Sequence, residues 1–245
     1  MLFLKSDKTH LLVMASATQH RLYENYEVEL DTGLETILPQ NHKRLLVSEF
    51  SSNFKCNEHI KDNELSLHRQ LTTKINSLQK ISYAASFSTR RIIANGIVIS
   101  RIIYAIKLWG GANDYLLKIL QVLQNRAARF VTKLDIYTSQ RVLLFQCGWM
   151  SVKQLAAYHS LVLVYKTKTE QKPVFLSESL SKPFQIRTRA ASTGVLVDNL
   201  KTTSVISKFS FMSISTKLWN TLPSQIRYSR KSPEVQVQAE NLGQG

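Results

Sequence analysis

Basic and amide side chains recur along two neighbouring helix-like segments in the middle of the sequence. A helical face of this kind neutralises phosphates and releases counterions, which gives salt-sensitive and largely sequence-independent affinity for nucleic acid. The alternative is an ordinary solvated helix face. Eight residues are predicted to contact nucleic acid, and these are Arg90, Arg91, Arg101, Lys118, Asn125, Arg126, Arg129 and Lys133.

No residue is predicted to be catalytic or to bind a metal ion or a cofactor. Two-metal phosphoryl transfer needs at least two carboxylates at close spacing, and the six aspartates of this sequence are scattered singly. The six histidines include no HExxH spacing, and neither Cys56 nor Cys147 has a metal-binding partner nearby in sequence. Neither a GxGxxG nor a GxxxxGK[ST] phosphate loop occurs.

The basic excess is confined to one part of the chain. Residues 1–70 hold 8 Lys and Arg against 10 Asp and Glu, whereas residues 71–245 hold 24 against 7. The net charge of +15 therefore arises entirely after residue 70. An asymmetry of this kind indicates a polyanionic partner, and a basic surface that only aids solubility is the alternative.

Composition excludes several classes of protein. With 8 Gly, 5 Pro and 2 Cys in 245 residues, the chain is neither collagen-like nor a disulfide scaffold.

We expect an intracellular protein, in the nucleus or the cytoplasm. The apolar segment 92–109 contains Arg101, which costs roughly 2.5–3.5 kcal/mol at the centre of a bilayer. We therefore predict a buried helix there and no membrane partner.

Hydrophobic periodicity predicts a small β-rich start followed by helices. Segments 8–16, 23–30 and 43–50 are strand candidates, too few to close an independent sheet. Within the helical part, Asn57 is predicted to cap the first helix, and Asn95 lies in an apolar arc and needs a buried hydrogen-bond partner. The predicted helices are 57–85, 89–109 (ended by Gly110-Gly111), 113–133, 139–147 (ended by Gly148), 151–169 (opened by a Ser151/Gln154 capping box) and 209–222 (ended by Pro223).

Three blocks of this sequence occur in the same order in a known family. They are SRIIYAIKLWGGANDYLLKILQVLQNRAARFVTKLD (100–135), QCGWMSVKQLAAYHSLVLVYK (146–166) and WNTLPSQIR (219–227). With them the chain resembles the part of jockey-like non-LTR retrotransposon reverse transcriptases that follows the polymerase palm. SDKTHLLVM (6–14) resembles the palm strand after the catalytic Asp-Asp turn, and KRLLV (43–47) resembles the primer-gripping hairpin.

The resemblance implies an α+β fold in three segments. Residues 1–55 would be a β-rich palm remnant, residues 56–170 a mainly α-helical thumb-like array, and residues 171–245 a loop-rich region with a divergent tail. The thumb of the family grips the template–primer duplex. Asn125, Arg126 and Arg129 match its QNRAAR motif, Gly148 and Trp149 match its CGW motif, and Lys8 falls near the palm lysine that donates a proton to pyrophosphate.

The function implied is that of a truncated RNA-directed DNA polymerase. The metal-binding aspartates of the family would lie upstream, so this chain alone is predicted to be inactive and to hold no cofactor, although the full-length family enzyme would use Mg²⁺. RNA or an RNA–DNA hybrid is the expected partner, and no small-molecule cofactor is expected. Two alternatives stay open: a helical interaction module adopted by a host protein, and a subunit completed by a separate palm.

The sequence departs from the family pattern at the hairpin. The family usually has Leu-Gly at the turn, whereas here Leu46 is followed by Val47. A β-branched residue disfavours the positive φ that such a turn requires, so a tight turn is not expected from these residues.

Overall fold

A computed structural model describes residues 9–14, 19, 29–31, 36–46, 48–52, 56–81, 83–180, 195–196 and 210–227. The described part is mostly helical and includes two small antiparallel sheets, which agrees with the predicted α+β class. Lys8, placed near the palm lysine by the resemblance, lies outside the described residues.

Both sheets are two-stranded ribbons. Strand β1 (Leu30–Asp31) pairs with β2 (Thr36–Ile37), and β3 (His42–Leu45) pairs with β4 (Ser48–Ser51). Segment 43–50, predicted as one strand, is therefore a hairpin. Leu46 at its turn takes a positive φ of 47°, which a leucine rarely adopts. Leu45 pairs with Ser48, so a tight two-residue turn is present without the Leu-Gly pair, contrary to the expectation from the sequence. The likeness to a primer-gripping hairpin stays a prediction.

The chain divides into two compact units. The first comprises Met1–Ala105 and Asp114–Trp149, and the second comprises Ile106–Asn113 and Met150–Gly245. The sequence predicted a different division, into the segments 1–55, 56–170 and 171–245. Those segments are based on the resemblance to a family and not on contacts within the structure, so they stay a prediction.

Among the described residues, the first unit holds five α-helices and two π-helical turns, and the second unit holds five α-helices. In the first unit these are the turn Glu58–Asp62, α1 (Leu67–Gln79), α2 (Phe87–Ala94), the turn Asn95–Ile99, α3 (Ser100–Ile103), α5 (Asp114–Thr132) and α6 (Gln140–Cys147). In the second unit they are α4 (Ile106–Trp109), α7 (Val152–Glu170), α8 (Val174–Leu180), α9 (Phe211–Thr221) and α10 (Ser224–Arg227).

The predicted helix 57–85 is wrong in its continuity. Asn57 has helical dihedral angles and its side chain caps nothing, and the π-helical turn ends at Asp62. Helix α1 begins instead after Ser66, whose hydroxyl accepts the backbone N–H of Arg69. Because Ser66 offers the hydrogen bond of a helix N-cap, the chain can start a new helix there.

The predicted helix 89–109 is also interrupted. Its first part continues from α2 through the π-helical turn into α3, and the helix then ends at Tyr104. Ala105 takes a left-handed φ of 53°, and α4 follows as a separate turn. The predicted stop at Gly110 is confirmed. A Cβ at Gly110 would overlap the carbonyl oxygen of Ile106 and lie 2.8 Å from the Cβ of Ala156, so this glycine allows close packing on α7.

The later helices agree with their predicted bounds. Helix α5 begins and ends within one residue of 113–133, and its inward side is buried, with Leu116, Leu120, Leu123, Ala127, Phe130 and Val131. The capping box that opens α7 is present, because the Ser151 hydroxyl accepts from the Gln154 N–H while the Gln154 side chain accepts from the Ser151 N–H. Helix α9 ends just before Pro223, as predicted.

Each unit buries its own apolar core. In the first unit α5 packs against α1, α2 and α6. In the second unit α7 packs against α4, α8 and α9, with Trp219 in a cluster that also contains Val164, Leu176, Leu180 and Leu196. Within the described residues, none of the helices has the length and apolar content needed to cross a membrane.

His59 ties the first π-helical turn to the hairpin. Its Nδ1 accepts the backbone N–H of Glu49 at 3.3 Å, which requires that nitrogen to be unprotonated. Burial, and in second place the charge of Arg44, lower the pKa of His59 below its ordinary 6.5. Geometry and electrostatics therefore both favour the neutral imidazole in the folded chain.

We expect His59 to make the stability of the first unit depend on pH. Because its pKa is lower in the folded than in the unfolded chain, the unfolded chain binds more protons as the pH falls through about 6.5. The stabilisation is complete above that pH and declines below it, down to the folded pKa. Urea unfolding of the wild type and of His59→Asn, which keeps an acceptor, between about pH 8 and about pH 5 measures this contribution.

The difference in stability between the two proteins should shift in favour of the variant as the pH falls. A difference that stays constant over the whole range would contradict the prediction. Comparing the two proteins at each pH cancels the titration of the other histidines, which both proteins share.

Candidate nucleic-acid interface

Helix α5 carries most of the residues predicted to contact nucleic acid. Lys118 is exposed on this helix. Asn125 follows it by seven residues and Arg129 follows Asn125 by four, so the three side chains share one side of α5. That side is opposite the buried leucines. Lys133 follows the last helical residue, is exposed, and has a left-handed φ of 59°. The structure therefore places Lys118, Asn125 and Arg129 on one side of α5, with Lys133 just after its C-terminal end.

Arg126 and Arg129, which are half-buried, also hold α5 against its neighbours. Arg126 donates from Nη2 to Oδ1 of Asn76 on α1, at 2.8 Å. Arg129 donates from Nη2 to the carbonyl oxygen of Ile136, at 2.9 Å, and its buried Nε has no hydrogen-bond partner. Consequently Arg126 and Arg129 have structural contacts in addition to any contact with a ligand.

Asn125 belongs to a row of amides between α5 and α6. Its Oδ1 accepts from Nε2 of Gln121 at 2.9 Å, and its Nδ2 donates to Oε1 of Gln140 at 3.4 Å. The Gln121 amide also donates to Gln124, which is fully buried. The amide row fixes the side chain of Asn125 at the edge of the α5 surface.

Arg90 lies in the interior of the first unit and is not on the surface. It is 6% exposed, and its Nε donates to the carbonyl oxygen of Val131 at 2.9 Å. Its Nη1 donates to the carbonyl oxygen of Ala85. Val131 is one of the last four residues of α5, whose carbonyls have no partner within the helix. The Arg90 guanidinium thus caps the C-terminus of α5, where a cation is also favoured by the helix dipole.

Arg101 and Arg91 lie on the α2–α3 side of the same unit. Arg101 is half-buried and donates from Nη1 to Oε1 of Gln70 on α1. Arg91 is exposed, and its Nη2 would be 2.9 Å from a Cβ at position 148. The absence of a side chain at Gly148 therefore leaves room for this guanidinium at the C-terminus of α6.

Gly148 and Trp149 end α6 and join it to the π-helical turn that follows α2. Gly148 has a φ of 65°, and its N–H bonds to the carbonyl of Phe145 while that of Trp149 bonds to the carbonyl of Leu144. The Trp149 indole donates from Nε1 to Oδ1 of Asn95 at 2.8 Å. Asn95 thus has the partner that the sequence predicted, although Asn95 is exposed and not buried.

Neither thiol in the described residues is ionised at neutral pH. Burial raises the pKa of Cys147 to about 11 despite the opposing charge of Arg91. Burial and the charge of Glu58 raise the pKa of Cys56 to about 11. Since the thiolate is the nucleophile and the metal ligand, neither cysteine is suited to these roles in this state.

A polar cleft of about 560 Å³ lies beside the β3–β4 hairpin. Its walls include three basic side chains, one carboxylate and several amides, contributed by Gln40, Asn41, His42, Lys43, Arg44, Glu49 and Asn63. Most of these groups donate hydrogen bonds, and the basic ones outnumber the single acidic one. The cleft is therefore suited to an anion.

Two aromatic side chains near α5 were not singled out from the sequence. Tyr137, between α5 and α6, is 93% exposed, and Phe145 on α6 is 84% exposed. The signal was present, because Leu143, Leu144 and Cys147 form the inward side of α6 and leave Phe145 on the opposite side.

Among the described residues, no group of three or more His, Cys, Asp or Glu could hold a metal ion.

Comparison with known proteins yields no match: no family model, curated protein or solved structure corresponds to this chain.

Proposed function

We propose that this chain is the thumb-containing part of a non-LTR retrotransposon reverse transcriptase and that its first unit binds the backbone of a template–primer duplex. These residues have no polymerase activity of their own in this proposed role, because the sequence contains no adjacent pair of aspartates. The three sequence blocks support the family. The basic side of α5 is the observation that carries the binding function.

The arrangement of charge along α5 favours a phosphate backbone. Lys118, Arg126 and Arg129 lie within 12 residues of α5, or about 17 Å at the rise of an α-helix, and Lys133 follows the last residue of that helix. Between Asp114 and Asp135 the sequence contains no acidic residue. A helix of this length can lie along several successive phosphates, which follow each other every ~3.4 Å of axis on one DNA strand.

Further basic groups of the first unit add to the same potential. Arg91 is exposed beside the C-terminus of α6, and Lys43 and Arg44 line the polar cleft at the hairpin. Arg90 is omitted from the proposed contacts because its guanidinium is buried and bonded to two carbonyls. The proposed contact set is therefore Arg91, Arg101, Lys118, Asn125, Arg126, Arg129 and Lys133.

The experiment measures the affinity of the full chain for an RNA–DNA hybrid at increasing salt. For duplexes, the logarithm of the affinity falls against the logarithm of salt with a slope of about −0.9 per phosphate contacted. Lys118→Gln with Lys133→Gln removes two exposed ammonium groups, so we expect the magnitude of the slope to fall by about 2. The affinity at low salt should fall as well.

Lys107→Gln with Lys217→Gln is the matched control, since both lysines are exposed and lie on helices of the second unit. Its slope should equal that of the wild type, and circular dichroism should show equal melting for all three proteins. Equal slopes for the α5 variant and the control variant would refute the proposal. So would a wild-type affinity no better than that of a charge-matched unrelated protein.

A further inference from the structure

The connection between α5 and α6, together with α6, presents apolar and aromatic groups to solvent. Tyr137 is 93% exposed and Phe145 is 84% exposed, and the neighbouring side chains of Ile136 and Val142 are also exposed. Val142 and Phe145, three residues apart, lie on one side of α6, and exposed apolar groups that share a side indicate an interaction surface. We call Tyr137, Val142 and Phe145 the aromatic surface.

The loop that carries Tyr137 is held in place by hydrogen bonds. The Oδ1 of Asp135 accepts the N–H of Tyr137 at 2.8 Å, and the Asp135 carbonyl accepts the N–H of Thr138 at 3.1 Å. The Arg129 guanidinium bonds to the carbonyl of Ile136. Because the backbone on both sides of Tyr137 is fixed, a ligand that contacts this ring loses little conformational entropy of the loop.

The charge around the aromatic surface is positive. Arg141 lies four residues before Phe145 and so on the same side of α6. Between Asn125 and Trp149 the sequence holds four Lys or Arg and one Asp, and the carboxylate of that Asp135 is engaged with the Tyr137 N–H. Aromatic rings interleaved with basic groups form the pattern that binds single-stranded nucleic acid.

We propose that the aromatic surface binds an unpaired segment of RNA or DNA by stacking bases on Tyr137 and Phe145, while Arg141 and Lys133 neutralise its phosphates. The inference rests on the proposed function and adds a substrate class to it. In a duplex the bases are stacked on each other and offer no free face inside the helix. The basic α5 side therefore serves the paired segment, and the aromatic surface serves an unpaired segment next to it.

The test uses the full chain and three labelled probes: oligouridylate, an abasic strand of the same length and charge, and an RNA–DNA hybrid. The variants are Tyr137→Ala, Phe145→Ala and the double replacement. Each loss of an aromatic ring should weaken oligouridylate binding by about tenfold, since a stacked base contributes ~1–3 kcal/mol. Binding of the abasic strand and of the hybrid, and the salt dependence of both, should stay at wild-type values.

Phe175→Ala is the control variant. Phe175 is 70% exposed on α8 in the second unit, so its replacement removes a similar ring from outside the aromatic surface. Its affinity for oligouridylate should equal that of the wild type. Equal melting of all variants by circular dichroism shows that each is folded.

Three outcomes would overturn the inference. The first is an affinity of the double variant for oligouridylate that equals that of the wild type. The second is a wild type that binds the abasic strand as tightly as oligouridylate. The third is a double variant that differs from the wild type only in its sedimentation. The last outcome would make the surface a contact between copies of this chain. Loss of oligouridylate binding with hybrid binding retained supports the inference and leaves the proposed function intact, whereas a wild type that binds none of the probes refutes both.

Discussion

Replacing Trp219 by alanine is expected to lower the free energy of unfolding of the second unit by about 3–5 kcal/mol. The indole is 2% exposed and lies in the cluster with Val164, Leu176 and Leu180. The change removes the largest side chain of that cluster and leaves a cavity lined by aliphatic groups. Both the lost transfer free energy and the cavity contribute to the cost.

A second contact adds to this loss. The Lys168 ammonium lies 4.8 Å from the centroid of the Trp219 ring, within the range of a cation–π interaction. Burial, and in second place the charge of Arg227, lower the pKa of Lys168. Without the indole the ammonium of Lys168 loses this attraction while staying partly desolvated, so the alanine variant is affected by more than the cavity.

Urea unfolding followed by far-ultraviolet circular dichroism measures the loss, and hydrogen exchange assigns it to the second unit. Trp219→Phe keeps a ring and most of the buried volume, so it should cost less than half as much as the alanine variant. Phe175→Ala, on the surface of the same unit, should stay within about 0.5 kcal/mol of the wild type. If alanine and phenylalanine at 219 had equal and small effects, the indole could not be the centre of this core.

The sequence blocks that resemble the reverse transcriptase family contain residues with structural contacts here. Besides Trp219, the WNTLP block contains Asn220, whose amide donates to the Leu196 carbonyl and accepts the Leu196 N–H, both at 2.9 Å. In the CGW block, Gly148 ends α6 and Trp149 bonds to Asn95. These residues make structural contacts within their own units, and the proposed nucleic-acid contacts belong to other, mainly basic residues of the first unit.

Local signals in the sequence were sufficient to predict the later helices. The Ser151 capping box and Gly148 in the left-handed region act on the nearest turn of the backbone, so their effects can be predicted without the rest of the fold. Ala105 and Leu46 take positive φ values without being glycine or asparagine, and nothing in their residue types announces this. The break of the predicted helix 89–109 and the turn of the hairpin were therefore not predictable from residue type.

At the candidate site too, the sequence predicted what depends on a single helix and missed what depends on contacts between helices. The spacing of Lys118 and Asn125 placed them correctly on one side of α5, because that pattern depends on one helix only. Arg90 also lies on the polar side of its own helix, yet its guanidinium is buried against Val131 of α5. A helical wheel has no information about a carbonyl on another helix, so the sequence could not separate a buried arginine from an exposed one.

Replacing Arg90 by alanine is expected to lower the free energy of unfolding of the first unit by about 3 kcal/mol, because a hydrogen bond to a charged group contributes ~1.5–3 kcal/mol. Two bonds are lost, to the carbonyls of Val131 and Ala85. Both carbonyls then lack this donor, and the C-terminus of α5 loses the cation that caps it. Arg90→Lys keeps the charge but lacks the forked guanidinium, so it should recover only part of the loss.

Arg91→Ala is the matched control, since Arg91 is the next residue on the same helix and is exposed. Its guanidinium sits beside the C-terminus of α6, a contact worth about 0.3–1 kcal/mol, so the loss should be much smaller than for Arg90. Urea unfolding measures both losses.

Salt-dependent binding of the RNA–DNA hybrid separates a structural role of Arg90 from a role in binding. A residue that acts only inside the protein leaves the salt slope unchanged at temperatures where the variant is folded, whereas a phosphate contact changes the slope by about 1. Arg90→Ala should therefore lose stability and keep its slope, while Lys118→Gln with Lys133→Gln should keep its stability and lose slope. A variant of Arg90 that kept its stability and lost slope would place the guanidinium on the ligand and contradict its burial between α2 and α5.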